Sequence, residues 1–182
     1  MLHGFLYVYF CLYIVMYIAF IFVIDIVHTS LSVKSIFVVV MPFVLLVIIQ
    51  RAIVYVSVKR NKEKKQMLSV MIVGIIPLIV CAVQLSMNEY TSKFNQDRWL
   101  NDEEKRVHMV DDLMQKYKLI GKSNEEITQL LGTPTETRNE EEGVITLYYL
   151  GTERGFIPID SERLILQFDR DGRVLKYKVQ RG

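Results

Sequence analysis

The chain has 182 residues, of which 51% are apolar, and a formal net charge of +2. Before Asn88 seven basic residues face two acidic ones, and after it fifteen face eighteen, so an apolar basic half precedes a mildly acidic one. A net-acidic polar half argues against nucleic-acid binding, which calls for a clustered basic face. Cys11 and Cys81 both lie in apolar runs, which leaves the polar half without a disulfide or a thiolate metal site.

The first apolar run, Gly4–Ile24, carries no charge and is rich in Tyr, Phe, Val and Ile. It lacks a basic n-region and a small-residue cleavage site, so it reads as a retained transmembrane helix rather than a signal peptide. Tyr7, Tyr9, Tyr13 and Tyr17 can place hydroxyls at an interface or between helices. Asp25 and His28 follow, and a short external loop, Asp25–Ser35, in the headgroup region accounts for both. The second run is Ile36–Val56, with Pro42 early and Gln50–Arg51 late; Arg51 can snorkel to the headgroups. The third, Met67–Met87, contains Pro77 and no charge, and at about 1.5 Å per residue each run can cross a bilayer core of about 30 Å.

Between the second and third runs lies Ser57–Gln66, a short loop crowded with Lys59, Arg60, Lys62, Lys64 and Lys65. A basic cluster resists translocation, so this loop sets the topology. The expectation is a multi-pass protein of the cytoplasmic membrane, with its N-terminus in the cytoplasm and residues 88–182 extracytoplasmic.

In the polar half, Asn88–Leu100 is a juxtamembrane segment anchored by Phe94 and Trp99. Asn101–Tyr117 places Val110, Leu113, Met114 and Tyr117 at i, i+3, i+4, i+7 spacing, an amphipathic helix that Asn101 or Asp102 can cap. Ser123 with Glu126 three residues on forms a capping box, followed by the stripe Ile127, Leu130, Leu131 and the stop Gly132-Thr133-Pro134. Thr135–Glu142 reads as a polar linker ending in the exposed acids Glu140–Glu142. Three strands follow: Val144–Leu150; Glu162–Asp169, with Leu164, Leu166 and Phe168 on one face; and Val174–Gln180, with Leu175, Tyr177 and Val179 on one face. Arg170-Asp171-Gly172 makes the hairpin turn between the last two. The fold expected is three membrane spans (4–24, 36–56, 67–87) plus an α+β domain, ααβββ, its antiparallel sheet covered by two helices.

The sequence GKSNEEITQLLGTP after an amphipathic helix, then a Tyr-rich strand, then LILQFDRDGRV, resembles the SmpA/OmlA-like domain. That domain is the small ααβββ unit of an outer-membrane assembly lipoprotein, repeated in tandem in a β-lactamase inhibitory protein. The resemblance covers Phe94–Gln180 and is best at Gly121–Pro134 and Leu164–Val174. It implies an extracytoplasmic protein-binding module.

Sites of chemistry find better structural explanations. Gly121-Lys122-Ser123 lacks the preceding glycine of a phosphate loop, and its Lys-Ser suits helix capping. Asp169-Arg170-Asp171-Gly172 resembles part of a calcium loop, but Lys178 stands where the final Glu is required. His108 with Asp111 and Asp112 reads as a solvated helix face. The long connection Gly151–Glu162 instead exposes Phe156, Ile157 and Ile159 around Pro158, an apolar loop that suits a partner. The reading is therefore a membrane-anchored, non-catalytic binding or scaffold module of the cell envelope, needing no cofactor and no metal. Its partners are the lipid bilayer and an envelope or extracellular protein, with Phe94, Trp99, Tyr148, Tyr149, Arg154, Phe156, Ile157 and Ile159 as the contact surface. The alternative is a membrane sensor or immunity-type inhibitor whose external domain blocks a single protein.

Overall fold

The computed structural model describes residues 2–56, 60–140, 143–155, 157 and 159–182, with backbone alone at 2, 3, 5, 56 and 60–67. It separates into two compact units, Met1–Glu89 and Tyr90–Gly182.

The first unit consists of α1 (Leu2–Ile26), α2 (Val33–Val56) and most of α3 (Arg60–Ser92). Three stretches, Leu6–Ile26, Val33–Tyr55 and Leu68–Ser92, are long and apolar enough to cross a membrane, so this is a multi-pass membrane protein in contact with lipid. The helices run past their expected limits. Asp25 belongs to the last turn of α1 rather than to a loop, and His28, at φ 50°, turns the chain behind it. Ser32 and Ser35 exchange backbone-to-hydroxyl bonds (2.8 and 3.1 Å) and start α2 three residues early. The basic segment is corrected too: Arg60, Lys62, Lys64 and Lys65 lie on α3 and not in a loop, because nothing in this Lys-rich stretch breaks a helix. Lys59 lies outside the described residues.

The tyrosines of α1 bind the other two helices. Tyr17 Oη donates to the Val39 carbonyl and Tyr13 Oη to the Gly74 carbonyl, each at 2.5 Å, while Tyr9 Oη donates to the Pro42 carbonyl at 3.1 Å. Val39 and Gly74 each stand three residues before a proline, Pro42 and Pro77. Hydrocarbon offers the phenols no water, and these carbonyls of the neighbouring helices accept their protons.

The second unit begins with α4 (Gln96–Asn101), a single 3-10 turn (Glu103–Lys105), α5 (Arg106–Lys116) and α6 (Asn124–Leu131). The helix expected over Asn101–Tyr117 starts only at Arg106, after the 3-10 turn, because α4 ends at Asn101 and Asp102 adopts an extended backbone (φ −139°, ψ 90°). Neither Asn101 nor Asp102 caps α5, whose first turn has no side-chain cap. Arg106 explains the break: its Nε donates to the Trp99 carbonyl (2.7 Å), closing α4 from inside the fold. The capping box of α6 is present as read, with Ser123 Oγ accepting from Glu126 N and Glu126 Oε2 from Ser123 N.

The sheet has four antiparallel strands in sequential order: β1 (Glu136–Glu140), β2 (Gly143–Thr152), β3 (Ser161–Phe168) and β4 (Val174–Arg181). β1 replaces part of the expected linker. All five of its residues are exposed, so it carries no apolar alternation to reveal it. Glu140 ends it, and Glu141 and Glu142 lie outside the described residues. In β4 the expected faces shift at a bulge. Phe168 pairs with Val174 and Gln167 with Lys176, so Leu175 is left over. Val174 enters the core (2% exposed) and Leu175 faces out (56%), the reverse of the alternation read from sequence. The α4, α5 and α6 helices cover one face of the sheet around Trp99, Leu113, Ile127, Tyr148, Leu164 and Phe168.

Candidate protein-contact surface

The β2–β3 connection is held at its base by an ion cluster. Glu162 falls in phase with Leu164, Leu166 and Phe168, so its carboxylate points into the covered side of the sheet, where it is fully buried. It accepts the Arg154 backbone N–H (3.1 Å), Arg154 Nε (3.2 Å) and Arg154 Nη2 (2.9 Å), with Arg181 Nε at 3.5 Å. Arg154 also reaches Asp111 on α5 (2.6 Å), and Arg181 reaches Glu153 (3.2 Å). Burial acts to raise the Glu162 carboxyl, but the bonds from Arg154 and the nearby Arg181 outweigh it and hold the acid below its usual range. On the other side of the hairpin, Glu104 accepts Tyr149 Oη, Thr152 N and Thr152 Oγ1 at 3.0–3.2 Å. Gly151 makes this approach possible: it sits at φ 116°, and a Cβ there would lie 2.3 Å from the Glu104 carbonyl oxygen.

Above this clamp, Ile157 and Ile159 are 72% and 81% exposed. Phe156 and Pro158 lie outside the described residues. Tyr149 is half-buried, its hydroxyl held by Glu104, and Arg154 anchors the loop from below.

Two residues expected at the contact surface, Trp99 and Tyr148, are placed in the core instead, for a physical reason. Trp99 (0% exposed) and Tyr148 (1%) are core residues whose polar tips serve α6, Trp99 Nε1 donating to the Leu131 carbonyl and Tyr148 Oη to that of Gly132, each at 3.1 Å. Burial pushes the Tyr148 hydroxyl up to about 12, against the pull of Arg106. Phe94 is half-buried and packs on Trp99 and Tyr117, with ring centroids 5.6 and 5.2 Å away. The carboxylates expected on a solvated face beside His108 are both engaged: Asp111 binds Arg154, and Asp112 accepts the Phe94 N–H and the Lys116 ammonium, each at 2.7 Å. Burial tends to raise Asp112, yet those donors bring it below its usual value.

The uncovered face of the sheet escaped the sequence reading. Pairing places Arg138 and Glu140 of β1, Ile145 and Leu147 of β2, Ile165 and Gln167 of β3, and Lys176 and Lys178 of β4 on this side. They surround a depression of about 360 Å³. Its aliphatic floor is partly shielded, with Leu147 7% exposed, while Lys176 and Lys178 are exposed and form no ion pair among the described residues. Among the described residues no group of three His, Cys, Asp or Glu side chains could hold a metal ion. Comparison with known proteins gives no matching family model, no matching curated protein and no matching solved structure.

Proposed function

We propose that this chain is a membrane-anchored protein-binding module of the cell envelope, with residues 88–182 outside the cytoplasmic membrane and no catalytic role. The observation that carries the reading is the uncovered sheet face. It combines an aliphatic depression with two ammonium groups that form no ion pair among the described residues, on a half of the chain whose net charge is negative. A partner segment presenting an aliphatic side chain flanked by carboxylates fits it, because the cations steer the encounter and the desolvated floor supplies affinity. The ion cluster supports the same reading, since it fixes the base of a loop whose exposed isoleucines lie on a rigid support. The likeness of GKSNEEITQLLGTP and LILQFDRDGRV to the SmpA/OmlA-like domain agrees with it, as does the basic segment before the third span.

The test joins topology to capture. A reporter fused after Gly182, read with protease accessibility on intact cells, is expected to be external. Crosslinking of the full-length protein in membranes is expected to capture an envelope protein, and Lys176→Glu with Lys178→Glu to lose it. A cytoplasmic C-terminus overturns the location, and capture unaffected by the double charge reversal overturns the surface.

A further inference from the structure

At the α1–α2 turn the membrane unit carries a groove of about 390 Å³. Phe20 and Ile24 of α1, Val38 of α2 and Leu85 of α3 give it an apolar lining, which Thr29 and Lys34 join. We propose that this groove holds an anionic phospholipid, with an acyl chain in the apolar part and the phosphate at Lys34. The polarity changes within one helical turn, since Lys34 and Val38 are four residues apart on α2, about 6 Å along the axis. A phospholipid makes the same change between its phosphate and its chain.

Charge selects the anionic headgroup. The first turn of α2 contains no acidic residue, so the positive end of the helix dipole and the Lys34 ammonium add rather than cancel. Lys34 is exposed and forms no ion pair among the described residues, and neither Asp25 of α1 nor Glu89 of α3 lines the groove. The hydroxyls of Ser32 and Ser35 are engaged with each other and with the backbone. Among the groove's lining residues the Lys34 ammonium is the cationic group available to the phosphate. Lys34 stands in the first turn of a membrane span, at the level where headgroups meet hydrocarbon, so the occupant is a lipid rather than a soluble anion.

The experiment uses the full-length protein, delipidated in a non-ionic detergent and titrated by native mass spectrometry with phosphatidylglycerol and phosphatidylcholine of identical chains. Phosphatidylglycerol is expected to bind more tightly. Lys34→Gln is expected to weaken it about five-fold, the equivalent of about 1 kcal/mol for one basic residue near an anionic surface. Lys34→Arg is expected to retain the preference, and Val38→Trp, which fills the groove, to reduce binding of both lipids. Helical circular dichroism checks that each variant is folded. Equal affinity for the two lipids, or a preference that survives Lys34→Gln, overturns the proposal. Inorganic phosphate that competes as well as the lipid overturns it too, because the apolar groove would then contribute nothing.

Discussion

Glu162→Gln tests whether the ion cluster holds the sheet and its loop together. The carboxylate is fully buried and receives three bonds from Arg154, at 2.9, 3.1 and 3.2 Å. The amide keeps one acceptor for the backbone N–H but turns donors toward a guanidinium. Removing one partner of a buried pair costs about 3–5 kcal/mol. Arg154 is 30% exposed on its side chain and retains Asp111, so it recovers part of its solvation. The expected loss is therefore about 2–3 kcal/mol, or roughly a 10–20 °C fall in Tm for a unit of this size. Trp99 is the only tryptophan and is fully buried, so its fluorescence follows the unfolding of this unit in the full-length protein. The pH dependence carries an independent sign. The folded-state pKa of Glu162 lies below its unfolded value, so its contribution is complete above the usual glutamate range and is lost as pH falls through the folded pKa. Wild type is expected to lose stability in acid more steeply than Glu162→Gln. A fall in Tm below about 3 °C, with an unchanged acid profile, would refute the reasoning.

Tyr17→Phe removes a phenol from a carbonyl three residues before Pro42, and is expected to lower stability to denaturing detergent by about 0.6–1.7 kcal/mol; Tyr13→Phe acts alike through Gly74. No change in the double variant would show that the phenols are not needed. Gly151→Ala combines a positive φ with a 2.3 Å approach to Glu104, and should cost about 2–4 kcal/mol in Trp99-monitored unfolding. Gly155→Ala meets nothing within 4 Å and should be near neutral, within about 0.5 kcal/mol. Ser123→Ala removes the cap of α6 and should cost about 1 kcal/mol in the same assay, with an unshifted urea midpoint as the contrary result.

The parts legible in the sequence were those in which one local rule fixes the structure. Uncharged runs of about twenty residues gave the spans, and the Ser123–Glu126 box with Gly132 gave α6. The parts missed depended on a distant partner. β1 has no apolar residue, and it becomes a strand because Glu136–Glu140 can pair with β2. Leu175 reads as a core residue by alternation and is expelled because the bulge inserts it between two paired positions. Asp102 breaks a helix that its own neighbourhood favours, because Arg106 is better placed bonding back to Trp99.

Trp99 and Tyr148 lie in the core rather than at a surface for a related reason. Aromatic residues carry both a large apolar body and a polar tip, which suits an interface and equally suits a core that must close helix ends. Trp99 and Tyr148 each find a carbonyl at the C-terminal end of α6, Leu131 and its cap Gly132, so the core uses them fully. The uncovered face is built from the opposite material: ordinary aliphatic, basic, glutamate and glutamine residues, two from each of four strands. None stands out alone, and only the register assembles them into one depression. One clue was present in the strand pattern. Ile145, Leu147 and Ile165 fall on the phase opposite the core residues Tyr148 and Leu164, and a sheet with apolar residues on both phases asks for cover on both faces. The helices of this unit cover one.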